Sequence, residues 1–104
     1  MIVTVFRSRL AVEAREEYSA VAKRMSELAR TVPGYVSHKG FVAEDGERVT
    51  IVEFETEEGL QAWKVHPDHV EAKRLGFATF FGTFKVQICK VVRDRTWTRR
   101  DGQP

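Results

Sequence analysis

The residues with chemical potential gather in one stretch, Leu60-Gln-Ala-Trp63-Lys-Val-His66-Pro-Asp-His69-Val-Glu-Ala-Lys73-Arg74. Histidine suits general acid–base work because its pKa of about 6.5 lies near neutral pH. His66 and His69 stand three residues apart. They share a face if His66 caps a helical piece that begins at Pro67. Asp68 between them invites a metal reading. Helical zinc pairs commonly use a spacing of four with a third ligand from elsewhere, and none stands out, so no metal is expected. Capping or a place on the solvated surface is the plainer role for either histidine. His38, far away in the chain, reads as a sheet-face residue with no chemical duty.

Trp63, among small residues on an amphipathic segment, buries a large area and can form one wall of an apolar cavity. Plain core packing explains it equally well. Phe77, Phe80, Phe81 and Phe84 are core candidates too, but a cluster of rings beside a loop–helix junction suits a flat aromatic ligand. Cys89 lies within an apolar run and reads as inert packing rather than a nucleophile. No Gly-rich run follows a strand and opens a helix, so a nucleotide loop is not expected.

These groups must be positioned by elements of alternating period. Ile2-Val-Thr-Val-Phe6, within residues 1–10, is β-branched and aromatic and reads as a strand. Tyr18, Val21, Ala22, Met25, Leu28, Ala29 and Val32 recur at spacings of three and four, which predicts a helix over about 12–31. Pro33-Gly34 stops it. A second strand spans Tyr35 to Ala43, and Glu44-Asp45-Gly46-Glu47 forms a hairpin with a glycine for positive φ. The third strand is Arg48 to Phe54. Thr56 caps a helix opened by Glu57-Glu58, which restarts at Pro67 and runs to about Leu75, where Gly76 ends it. Phe80 to Val92 forms a long last strand. The order strand–helix–strand–strand–helix–strand predicts an α+β, ferredoxin-like βαββαβ fold with both helices on one face. Residues 1–94 form the domain; 95–104 form a polar tail.

Composition narrows the classes further. The 104 residues carry 17 Lys plus Arg against 15 Asp plus Glu, a net charge of +2, so a strongly phosphate-neutralising surface is not expected. The tail Arg93-Asp-Arg-Thr-Trp-Thr-Arg-Arg100 mixes basic and aromatic residues but reads as solvated rather than as a nucleic-acid contact. One cysteine excludes an intrachain disulfide framework. No apolar run approaches the ~20 residues of a spanning helix. Met1 to Phe6 lacks the basic leader of a signal peptide, so a cytoplasmic location without membrane contact is expected.

Two helices cover one sheet face, yet apolar residues mark both. Val49 and Ile51 oppose Val52 and Phe54; Val3 and Val5 oppose Ile2 and Phe6; Phe84, Val86, Ile88 and Val92 oppose Cys89 and Val91. A wet face of that kind forms an apolar patch that monomers rarely tolerate. A second copy related by a twofold axis covers it and removes an edge strand, so the expected assembly is a homodimer, a dimeric α+β barrel.

At Gly34-Tyr35, Glu53-Phe54, Trp63, His66-Pro67-x-His69 and the strand up to Val92-Arg93, the chain resembles the antibiotic biosynthesis monooxygenase family, over about residues 1–94. That resemblance implies a dimeric barrel and a cofactor-independent oxygenase. Haem-degrading relatives use a first-strand asparagine, a tryptophan and a histidine ligand ten residues later. Those positions fall on Ser8, Trp63 and Lys73, and a protonated lysine cannot ligate iron. Polyketide-oxidising relatives carry a tyrosine six residues after the tryptophan, where this chain has His69.

The resemblance therefore implies a monooxygenase that needs no cofactor and acts on a small phenol or quinol with O2. His69 or His66 would be the base; Trp63, Ser8, Phe6, Phe77 and Phe81 would hold the substrate. The alternative is a non-catalytic dimeric module that captures a small aromatic or haem-like molecule.

Overall fold

A computed structural model describes residues 1–11, 15–76 and 81–99. Seven elements follow one another: β1 (Ile2–Leu10), α1 (Arg15–Arg30), β2 (Tyr35–Val42), β3 (Arg48–Phe54), α2 (Glu57–Lys64), α3 (Pro67–Leu75) and β4 (Phe81–Lys90). The four strands form one sheet in the order β2-β3-β1-β4, and every neighbouring pair is antiparallel. This is the expected ferredoxin-like arrangement. No described helix is long and apolar enough to cross a membrane.

Local chemistry accounts for the element ends. At the β2–β3 turn, Gly46 adopts φ 89°, its N–H bonds the Ala43 carbonyl, and Asp45 Oδ1 accepts the Glu47 N–H at 3.0 Å. After α1, Gly34 takes φ 88° and turns the chain into β2. Sequence and structure differ by small margins. β2 ends at Val42 rather than Ala43, and β4 stops at Lys90, leaving Val91 and Val92 beyond the sheet. The first residues of the expected first helix (12–14) lie outside the described residues, as do Phe77 and Phe80.

Cross-strand register assigns each side chain to a face. Ile2, Thr4, Phe6 and Ser8 of β1 share the helix-covered face with Val52 and Phe54 of β3 and with Phe84, Val86 and Ile88 of β4. The core is built there from Ile2, Val52, Phe54, Ala29, Val32, Leu60 and Trp63. The outer face carries Val3, Val5, Val49, Ile51 and Cys89. The apolar row of β4 lies on the helix side and is still exposed, with Phe84, Val86 and Ile88 at 44%, 48% and 51%. β2 and β4 are the edge strands, and the helices pack mainly on β2 and β3. Cys89, read as packing, is exposed.

Candidate active site

The site is organised by the break between α2 and α3. Thr56 caps α2, its Oγ1 accepting the Gly59 N–H at 3.2 Å. Gly59 allows the helix to lie close to the chain before β2, since a Cβ there would stand 2.8 Å from the Pro33 carbonyl oxygen. That approach drives Trp63 into the core, where it is 6% exposed. The helix then stops at Val65, and α3 starts with Pro67 in its first turn. The reversal brings His69 back over Trp63. Their rings stack at 4.2 Å with 14° between planes. His38 of β2 meets the same indole edge-on at 5.9 Å, and Phe54 lies 5.9 Å away on the core side.

In front of these imidazoles lies an apolar cavity of about 160 Å³, open to solvent. Tyr18, Val21, Ala22 and Met25 of α1 form its roof, and Ala72, Lys73 and His69 of α3 one side. Phe6, Thr50 and His38 form its floor, with Phe81, Phe84 and Val86 of β4 at its edge. The aromatic wall is continuous. Phe6 stands 5.3 Å from Phe81 and 5.9 Å from Phe84, and Tyr18 stands 5.7 Å from Phe81. Rings in such edge and offset contacts offer a flat aromatic guest further partners of the same kind.

The electrostatics of His69 follow from where it sits. Burial holds its pKa down at about 4, with the Lys73 charge adding to that and the Lys64 charge adding less; the Lys64 and Trp63 carbonyls oppose it. His69 Nδ1 is buried without a hydrogen-bond partner in good geometry. The imidazole is therefore neutral at pH 7. Burial, helped by Arg30, also lowers the pKa of His38, against a backbone hydrogen bond. Ser8 Oγ, Thr4 Oγ1 and Trp63 Nε1 are likewise buried without partners among the described residues.

The residues singled out from sequence separate into three groups. His69, Phe6 and Phe81 meet at the cavity. Trp63 and Ser8 do not line it: Trp63 backs the two imidazoles, and Ser8 is buried on β1 beside Phe84. His66 caps α3 instead, with Nδ1 accepting the Asp68 N–H at 3.1 Å, and it too is absent from the lining. Phe77 lies outside the described residues. Sequence reasoning passed over His38 and assigned Lys73 only the place of a missing ligand, yet both line the cavity. The signal for Lys73 was its position four residues after His69 on one helix. No group of three or more potential metal ligands occurs among the described residues.

The Antibiotic biosynthesis monooxygenase family matches residues 1–75, and the chain belongs to that family. The uncharacterized protein YqjZ of Bacillus subtilis strain 168 is 28% identical over 78 residues, which cover 75% of this chain and 68% of YqjZ. Rv0793 of Mycobacterium tuberculosis superimposes with a TM-score of 0.82 at 16% identity, covering 91% of this chain and 98% of that one. SnoaB, a cofactor-independent oxygenase from Streptomyces nogalater, gives 0.76 at 17% identity over 89% of this chain and 94% of its own. At those identities the two structures share the fold.

Proposed function

We propose that the protein is a cofactor-independent monooxygenase of a small electron-rich phenol or quinol, with O2 as co-substrate. The observation that carries this reading is the neutral His69 imidazole, stacked on Trp63 at the mouth of an aromatic cavity and next to the Lys73 ammonium. The aromatic wall holds the ring. His69 takes the hydroxyl proton, and Lys73, which makes the imidazole a weaker base, stabilises the anion that results. The anion passes an electron to O2; the radical pair combines at a ring carbon as a hydroperoxide, which loses water. For a hydroquinone the balance is quinol plus O2 to hydroxyquinone plus water. The substrate supplies all four electrons, so no external reductant enters. The apolar lining orients the ring and limits water around the anion.

The assembly belongs to the same reading. Val3, Val5, Val49 and Ile51 on the outer face suit burial against a second copy. His66, as a cap, contributes by fixing the start of α3 rather than as the base. Oxygen uptake with 1,4-naphthohydroquinone, corrected for spontaneous oxidation, tests the proposal. The expected result is uptake without added cofactor that falls by about 10²-fold or more in His69→Ala. Equal rates in the two proteins overturn His69 as the base. Thermal stabilisation by the ring without any uptake above background favours the non-catalytic binding module instead.

A further inference from the structure

The cavity continues into a neighbouring groove, and the two share Tyr18, Ala22, His38 and Thr50. This groove contains Arg48 and Lys23, while Lys73 lies on the cavity side. Neither space is lined by a single carboxylate among the described residues. The chain as a whole is nearly balanced, at 17 basic against 15 acidic residues, so this one-sided lining is a local property.

Arg48 is the centre of that asymmetry. It is half-buried at the start of β3, directly opposite Ser8 in the β1–β3 register, and its guanidinium lies 5.5 Å from the centre of the Tyr18 ring. The acids closest in sequence are engaged elsewhere. Glu47 pairs with Arg7 at 2.8 Å and Asp45 with Arg9 at 2.7 Å. Arg48 has no ion pair among the described residues. A guanidinium set over a ring at that distance keeps its planar fork of donors available for a carboxylate.

We propose that the occupant of the site is an aromatic carboxylic acid, its ring in the apolar cavity and its carboxylate in the adjoining groove on Arg48, with Lys23 adding to the attraction. The proposal deepens the oxygenase reading by naming the acidic substituent of the substrate, but the ligand contact stands without any turnover.

The test uses ligands that cannot be oxidised. Isothermal titration of the intact protein compares 2-naphthoate with 2-naphthamide, which has the same ring and nearly the same shape but no charge. We expect naphthoate to bind about tenfold more tightly at low salt, with the gap narrowing as salt rises. In Arg48→Gln the gap should shrink to about threefold or less, and Arg48→Lys should restore part of it. Circular dichroism melts confirm that both variants are folded. Equal affinity for acid and amide, no binding of either, or a gap untouched by Arg48→Gln overturns the proposal. Loss of oxygen uptake alone leaves it standing, so the two readings fail separately.

Discussion

The two faces of the sheet treat charge in opposite ways. On the outer face, Arg7 grips Glu47 through both Nε and Nη2, Arg9 meets Asp45, and Ser37 Oγ donates to Glu53 at 2.6 Å. These pairs are individually worth little, but they engage Glu47, Asp45 and Glu53 within the fold. On the helix face, Arg48, Lys73 and the two imidazoles border one continuous space with no carboxylate in its lining among the described residues. Matched charge marks surface that the fold has already satisfied. Unmatched charge beside an apolar cavity marks where something from outside completes it.

Three measurements can break or sharpen that contrast. The largest effect belongs to Trp63, which backs both imidazoles. Trp63→Ala should cost about 3–5 kcal/mol in urea unfolding; a loss under about 1 kcal/mol would show that the indole is not the platform described. Next comes the outer face. Ile51→Glu places a charge amid Val3, Val5 and Val49, so light scattering should move from about twice 11.9 kDa in the parent to a single chain in the variant. A parent of single mass removes the homodimer from the proposed function.

The smallest effect is acid sensitivity. An unfolded imidazole binds its proton at about 6.5, whereas His69 in the fold does so only at about 4. The unfolded chain therefore holds more protons across that window, so the stabilisation is fully present above pH 6.5 and is lost as the pH falls toward 4. His38, also shifted down, acts with the same sign. The decline should stay below about 1.4 kcal/mol per pH unit for each histidine, because both are partly open to solvent. Between pH 7 and 5, above most carboxylate titration, His69→Asn should flatten the fall in urea midpoint. Parallel curves for parent and variant would show that His69 does not titrate as described.

Much of the framework could be read from local chemistry. The third strand, Arg48–Phe54, and the restart of helix at Pro67 match their expected limits, and Thr56 caps α2. Each depends on residues only a few positions apart: alternation, a hydroxyl before two acids, a proline that breaks a helix and suits a first turn. Site assignments fared less evenly. His69 stood out because it shares a short segment with Trp63. His66 shares that segment too, yet one hydrogen bond to Asp68 makes it a cap.

His38 and Arg48 were illegible as site residues for a different reason. Their neighbours there, Trp63 and Tyr18 respectively, lie 25 and 30 positions away in the chain, and no pattern of nearby residues encodes such a meeting. The same holds for β4. Alternation correctly sorted its side chains into two sets but could not reveal which set faced the helices or how far the helices reached across the sheet.

The sequence by itself determined the elements and their order, because period, caps and turn residues act over one or two helical turns. Only the tertiary structure decided that Trp63 stands behind the site rather than in it, and that His38, His69, Lys73 and Arg48 border one continuous space. Those facts arise from the packing of α1 and α3 on distant strands, where burial and unpaired charge are set by neighbours that the chain brings together only on folding.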